Sequence, residues 1–160
     1  MKRYLIFLFI IIGLAACETD SECRQTETIR CVVVFSCDSL VSNEDTIYIA
    51  TFTNIDSVTV QGVGTDSVLY KNKKSVSKLS LPLRSDTTET RYHLTLNEQE
   101  DTLVILHTNN EYFVSLACGC FVFHELDTAF GTNGLIQNSQ VINTAVQNTE
   151  QDNIRLYISF

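Results

Sequence analysis

Six cysteine thiols are the side chains of this 160-residue chain with the widest covalent chemistry. Apart from Cys17 near the N-terminus, five thiols are candidates for disulfide bonds, namely Cys23, Cys31, Cys37, Cys118 and Cys120. Outside the cytoplasm, an odd number leaves at least one thiol unpaired or paired between chains. Cys31 and Cys37 would lie about 20 Å apart on one strand, at ~3.3 Å per residue, which is too far for a bridge. We therefore expect two internal bridges and favour Cys23 to Cys118, although the sequence leaves the connectivity open.

A zinc site is the alternative use of these thiols, because His124 follows two cysteines closely in sequence and could help to complete a tetrahedron. Structural zinc sites usually contain cysteine pairs separated by two to four residues, and this chain has none. Cys-Gly-Cys also differs from the redox motif Cys-x-x-Cys. We therefore expect no metal, and we expect packing or surface roles for His93, His107 and His124.

Sequence motifs for catalysis and cofactor binding are absent from the chain. It lacks Gly-x-Ser-x-Gly, His-Glu-x-x-His and a phosphate loop, and Gly62-Val63-Gly64 has no third glycine. We therefore expect no cofactor and no enzymatic activity. The alternative is an envelope hydrolase or metal-dependent enzyme whose site is assembled from residues at strand ends.

Aspartate followed by serine or threonine recurs along the chain, at eight of the nine aspartates. One explanation is local structure, because Asp ends a turn, Ser or Thr opens a strand, and the next apolar residue starts the buried face. The other is modification, since Asp-Ser/Thr followed by an apolar residue resembles the O-glycosylation sequon of Bacteroidetes envelope proteins. A glycan needs an exposed turn, so the favoured acceptors are those nearest turn signals: Ser39, Thr46, Ser67 and Thr87.

The N-terminus has the order of a secretory signal, with Lys2 and Arg3, an apolar run over residues 4–12, and Leu14-Ala15-Ala16-Cys17. A membrane-spanning helix needs roughly 20 apolar residues, and this run is shorter. Leu-Ala-Ala-Cys is similar to the bacterial lipobox. The resemblance implies that Cys17 receives a diacylglycerol and a further acyl chain such as palmitate after residues 1–16 are cut away. An ordinary signal peptide with a coincidental cysteine is the alternative.

The mature chain is strongly acidic, because removal of Lys2 and Arg3 takes its net charge from −8 to −10. Such a charge argues against nucleic acid as a partner and against electrostatic docking on anionic lipid. Residues 17–27 are expected to form an acidic tether. Within it, the segment 18–22 resembles an acidic signal that sends some Bacteroidetes lipoproteins to the outer leaflet, and a solvated spacer is the alternative. The expected location is the cell envelope, anchored to the outer membrane by the acyl chains and facing the periplasm or the surface.

Beyond the tether, apolar residues recur with a period of two, which is typical of half-buried strands. Leu79, Leu81 and Leu83 alternate with polar or small neighbours, and Tyr92, Leu94 and Leu96 do the same. Further strands are expected at residues 29–36, 47–52, 57–62, 67–70, 102–107, 112–123 with a break at Gly119, and 154–160. The pattern predicts one all-β domain over residues 28–160, an antiparallel β-sandwich (Ig-like or Greek-key) of roughly eight to ten strands.

Turn signals separate these strands. Turns are expected at residues 62–66, 71–74, 84–86, 97–101, 109–110 and 131–134. The segment 135–148 suits either a pair of strands or a short helix, and its structure stays open. The last alternating run, residues 154–160, is expected to be a docked strand.

Several segments of the domain resemble a family of small Bacteroidetes envelope lipoproteins of unknown function. They are residues 58–64 (VTVQGVG), 79–83 (LSLPL), 112–119 (YFVSLACG) and 153–157 (NIRLY). The resemblance implies a lipobox signal followed by one β-rich domain, and it implies no activity for any residue. The expected function is therefore a non-catalytic envelope lipoprotein that binds a protein or a glycan.

Overall fold

A computed structural model describes residues 29–40, 48–115, 119–147 and 149–160. All regular structure in these ranges is β. The strands are β1 (Cys31–Leu40), β2 (Tyr48–Phe52), β3 (Ile55–Gly62), β4 (Val68–Val76), β5 (Lys78–Leu81), β6 (Glu89–Leu96), β7 (Gln99–Ser115), β8 (Gly119–Gly131), β9 (Ile136–Val141), β10 (Ala145–Val146) and β11 (Asp152–Ile158). None of the described residues belongs to a helix that is long and apolar enough to cross a membrane.

The strands form two sheets. The first has the order β2-β1-β11-β9, with β5 also paired to the first half of β1, and the second has the order β10-β8-β7-β6-β3-β4. Every pair is antiparallel except β1 with β11, which run parallel. The predicted all-β sandwich is confirmed, with eleven strands in the described ranges and one parallel pair.

One hydrophobic core lies between the sheets and follows from the alternation in sequence. On β6, Tyr92, Leu94 and Leu96 are buried, whereas Arg91 and His93 are exposed. The first sheet adds the core side chains Val33, Phe35, Leu79, Leu81, Ile154 and Leu156. On β1 the alternate residues Val34 and Ser36 are buried too, because β1 is an interior strand of its sheet. Period-two alternation therefore identified the inward faces correctly.

Two predicted turns lie inside strands instead. Residues 71–74 belong to β4, where Asn72 and Ser75 have positive φ angles of 47° and 53° and the register with β3 shifts. Asn109 and Asn110 belong to β7. The Asn72 side chain accepts a hydrogen bond from Ser57 Oγ at 2.6 Å, and Asn109 bonds a neighbouring loop. These amides thus use tertiary partners rather than closing a turn on their own backbone.

Other turn predictions are confirmed, and the open segment is settled. Asn97 and Glu98, with φ angles of 47° and 71°, form the two-residue turn between β6 and β7, as a type I′ hairpin requires. Residues 132–135 connect β8 to β9. The segment 135–148 contains β9 and β10, so the strand alternative is correct there and the helix alternative is wrong.

The β7–β8 hairpin extends beyond the rest of its sheet. Pairing of β6 with β7 ends at Glu89 opposite Leu106, whereas pairing of β7 with β8 continues to Ser115 opposite Gly119. We call residues 107–115 of β7 and 119–126 of β8 the arm. The short strand β10 pairs with the arm only at His124 and Glu125. Towards the tip, among the described residues, the arm is therefore a two-stranded ribbon without a third strand.

The base of the arm lies close to the start of the domain. The buried Asn153 side chain accepts a hydrogen bond from Val32 N at 2.9 Å, and its amide nitrogen donates to Ala145 O at 3.0 Å. Ala145 pairs in turn with Glu125 of the arm. The first residues of β1 are thus connected through Asn153 and β10 to the arm, at the same end of the sandwich.

Candidate functional site

An open groove of about 470 Å³ lies at the base of the arm, where β10 covers one of its edges. The aromatic rings of Tyr112 and Phe123 line this groove. They meet edge to face, with their centroids 5.1 Å apart. Strand pairing explains the contact, because Phe123 lies opposite Asn110, two residues from Tyr112 on the same face of the ribbon. Tyr112 is 56% exposed, so one side of the pair is open to a ligand.

Polar groups line the same groove, and they come from both strands of the arm and from the chain after β10. They are Asn110, His124, Glu125 and Gln147. Asn and Gln amides offer both donors and acceptors, and an ionised Glu carboxylate accepts. The groove therefore combines apolar ring faces with hydrogen-bonding groups of both kinds.

Beneath the groove, Asn109 organises a buried polar cluster. Its Oδ1 accepts hydrogen bonds from His107 Nδ1 at 2.9 Å and from His124 Nδ1 at 2.8 Å. Its Nδ2 donates to the backbone oxygens of Ser85 and Thr87 at 3.0 and 2.7 Å. All the polar capacity of one side chain is used, and the loop before β6 is held against the arm.

The two imidazoles are neutral in this cluster. Since each Nδ1 donates to Asn109, His107 Nε2 is the acceptor for the hydroxyl of Thr90 at 2.8 Å. Burial lowers the pKa of His107, against the opposing effects of its bond to Asn109 and of Asp127. Burial, followed by the neighbouring His107, lowers the pKa of His124 to about 4. The rings meet nearly at right angles, with centroids 5.1 Å apart.

His124 Nδ1 donates to Asn109, and only 6% of this residue is exposed. In the part of the chain that the structure describes, no group of three or more His, Cys, Asp and Glu side chains is placed to hold a metal ion.

The described thiols do not form a disulfide with one another. Cys31 is buried in the core, Cys37 is half-buried and Cys120 is exposed on the arm. Burial raises the pKa of the Cys31 thiol to about 12, so this thiol stays protonated and packs as a small apolar side chain. Because Cys31, Cys37 and Cys120 are free thiols, the expectation of two internal bridges is wrong. Cys17, Cys23 and Cys118 lie outside the described residues, and a bridge from Cys23 to Cys118 stays a prediction.

The favoured glycan acceptors differ in their surroundings. Ser67 is exposed in the connection between β3 and β4. Thr87 is half-buried, and its hydroxyl donates to Glu89 O at 2.6 Å. Ser39 lies on β1, and Thr46 is outside the described residues. Of the two acceptors whose side-chain exposure is described, Ser67 therefore offers the more accessible hydroxyl.

Sequence patterns did not identify the groove. Tyr112 and Phe123 belong to a run that predicts strand, and Asn109 belongs to a signal that predicts a turn. Of the three histidines, His107 and His124 are brought together, while His93 is exposed and contacts Thr102. No periodicity could have found this site, because its members become neighbours only when β7 pairs with β8 and β10 closes the edge.

Comparison with known proteins identifies a family. A family model described as a family of unknown function, DUF6452, matches residues 57–158. This range runs from β3 to the end of β11 and includes the arm, the groove and β10. No curated protein and no solved structure matches the chain. Because the match covers well over half of its length, the chain belongs to the DUF6452 family of unknown function.

Proposed function

We propose that this protein is a lipid-anchored, non-catalytic component of the bacterial cell envelope that binds a glycan in the groove beside the arm. The main support is the combination of two aromatic rings with amide, imidazole and carboxylate groups in one open groove. The C–H faces of a sugar ring pack on aromatic rings, and sugar hydroxyls bond both donors and acceptors. Such a surface suits an uncharged saccharide better than an anionic one, because Glu125 is part of it.

Binding to saccharides prepared from the native envelope tests the proposal. Tyr112→Ala removes the exposed ring and should weaken binding about tenfold, which corresponds to ~1.4 kcal/mol. Tyr157→Ala is the matched control, because Tyr157 is on β11 of the other sheet. Equal binding by both variants would contradict a site in the groove, and capture of an envelope protein through Tyr112 would make the partner a protein.

The anchor is the second part of the proposal. Leu14-Ala15-Ala16-Cys17 supports attachment of acyl chains to Cys17 and retention at the outer membrane. Cys17→Ser should leave an unprocessed precursor in place of the mature lipoprotein, as seen by a change in mobility on a gel. Mature Cys17→Ser protein in the membrane fraction would contradict the anchor without affecting the test of the groove.

A hydrolase is the second candidate, and His124 is the observation that favours it. His124 is a lining residue of the groove, and histidine is the side chain that most often serves as a general base. Incubation of the purified protein with envelope polysaccharide would then release fragments, and His124→Asn would abolish the release. Metal analysis of the same sample tests the metal-dependent form of this candidate.

A further inference from the structure

The far end of the arm, which we call the tip, comprises residues 112–115 and 119–124 of those described. It combines exposed aromatic side chains with an absence of Asp, Glu, Lys and Arg. Phe113 is 65% exposed and Tyr112 is 56% exposed, which are the two highest values among the large apolar side chains of the described residues. No Asp, Glu, Lys or Arg occurs between Glu111 and Glu125, in a chain of which 19% is charged. The intervening residues are mainly apolar, and this segment is distinct in composition from the rest of the acidic domain.

An isolated two-stranded ribbon is only marginally stable in water, so a ribbon with exposed aromatic side chains suggests a surface that covers it. Strand geometry places the tip well beyond the sandwich. Glu125 pairs with β10, and Gly119 is six residue-to-residue steps away along β8. This distance corresponds to ~20 Å at about 3.3 Å per residue.

The direction of the arm relative to the N-terminus indicates what that surface is. The chain enters β1 at Cys31, and Asn153 and β10 connect this point with the base of the arm. Thirteen residues separate Arg30 from Cys17, and an extended chain of that length reaches at most ~45 Å. When a lipid anchor is attached to Cys17, the end of the sandwich from which the arm projects therefore stays within reach of the bilayer.

We infer that the arm tip inserts into the interface of the lipid bilayer to which Cys17 is anchored. The inference rests on the anchor of the proposed function and adds a second contact to it. Aromatic side chains favour the interface, and an interfacial segment is buried by ~5–10 Å. The four residue-to-residue steps from Glu111 to Ser115 span about 13 Å, so this depth keeps the Glu111 carboxylate in water.

Charge supports a lipid contact through the tip rather than through the body. The mature chain has a net charge of −10 and would be repelled by anionic lipid at close range. With the tip of a ~20 Å arm buried by ~5–10 Å, the body stays ~10–15 Å from the surface, beyond the Debye length of about 8 Å at physiological ionic strength. The uncharged tip, with Phe113, can then enter the interface while the acidic sandwich stays in water.

A single tryptophan tests the inference, because the natural chain has none. Phe113→Trp places the indole at the tip, and Phe160→Trp places it at an exposed position beyond the end of β11, away from the arm. In full-length lipoprotein reconstituted into vesicles of phosphatidylethanolamine and phosphatidylglycerol, Phe113→Trp emission should shift to the blue. It should also be quenched by brominated acyl chains, whereas Phe160→Trp emission should show neither effect.

Water-like emission from Phe113→Trp, with acyl chains confirmed on Cys17 by mass spectrometry, would overturn the inference and leave the anchor intact. If Cys17 is unmodified, the anchor fails, and the same emission is then measured with the chain tethered to nickel-chelating lipid through an N-terminal histidine tag.

Shielding in native membranes but not in protein-free vesicles would identify a protein as the occupant. A blue shift that depends on protein concentration without lipid would identify a second copy, and either result overturns the inference.

Discussion

At the scale of single residues, Asp101 shows how one repeated motif contributes to the fold. Its carboxylate is 1% exposed and accepts four backbone hydrogen bonds, from Thr102 at 2.6 Å, Thr132 and Asn133 at 2.8 Å, and Ile136 at 2.9 Å. Burial raises its pKa, but the four N–H donors together bring the pKa below its ordinary value. The local explanation of Asp-Ser/Thr does not apply at Asp101, because Asp101 and Thr102 lie inside β7 and three of the four bonds hold the distant β8–β9 connection.

Asp101→Asn should destabilise the domain by about 2 kcal/mol, since burying an unsatisfied polar group costs ~1–3 kcal/mol. The Asn side chain has the same shape as the Asp side chain, but its NH2 group replaces one carboxylate oxygen. The backbone N–H groups that donate to this oxygen then lose their acceptor. Asp56→Asn is the control, because Asp56 is exposed. The midpoint of urea unfolding is the measurement, and equal midpoints for the two variants would contradict this role.

The buried histidines predict that stability falls in mild acid. The pKa of each is lower in the folded state than its ordinary value of 6.5, so the unfolded chain binds more protons below that pH. Their contribution is fully present above pH 6.5 and decreases as pH falls from 6.5 towards about 4, the pKa of His124. The midpoints of urea unfolding at pH 7 and pH 5 measure this contribution of the two histidines to stability.

The matched variants are His124→Asn and His93→Gln. His124→Asn should reduce the difference between the two midpoints, whereas His93→Gln, at an exposed position, should preserve it. A wild-type midpoint that is the same at pH 7 and pH 5 would show that the imidazoles are not buried as neutral groups.

At the scale of elements, the parallel pair β1–β11 joins the two ends of the described domain. β11 lies between β1 and β9, and Ile154 and Leu156 are buried in the core. The expected docking of the last strand is confirmed. Because β11 is an interior strand of its sheet, its loss would expose hydrogen-bonding edges on both β1 and β9.

Leu156→Ala should destabilise the domain by roughly 2–5 kcal/mol, the range for truncation of a buried leucine. Phe160→Ala is the control, because Phe160 is 54% exposed and lies beyond β11, and its effect should stay within ~0.5 kcal/mol. Thermal or urea unfolding distinguishes them, and a similar loss in both variants would mean that the C-terminal end packs differently.

At the scale of the whole molecule, accessibility determines which hydroxyls an enzyme can modify. Ser67 is exposed in a connection, whereas Ser57 donates its hydroxyl to Asn72 at 2.6 Å. If Asp-Ser/Thr is a glycosylation signal, Ser67 should be modified first. Protein from the native host should then exceed the mass of protein made in a host without the pathway, by discrete glycan increments.

Ser67→Ala should remove one such increment, and Ser57→Ala should remove none. Identical masses from the two hosts would mean that the tripeptides act only at the starts of strands.

The amino-acid sequence by itself determined the class of the fold and the inward faces of the strands. Alternation of apolar residues is a local property, so Leu94 and Leu96 could be assigned to the core without knowledge of their partners. Sequence also marked the tight turn at Asn97, because few residues adopt positive φ. It did not predict that Asn109 lies inside a strand, since the partners of its amide lie more than 20 residues earlier and at His124.

Only the tertiary structure decided where the groove and the arm are. Tyr112 is on β7, His124 is on β8 and Gln147 directly follows β10, and strand pairing brings these three segments together. The length of the arm is equally non-local, because it equals the part of β7 and β8 that β6 does not reach. Pairing between distant segments depends on the free energy of the whole sheet, which no window of sequence contains.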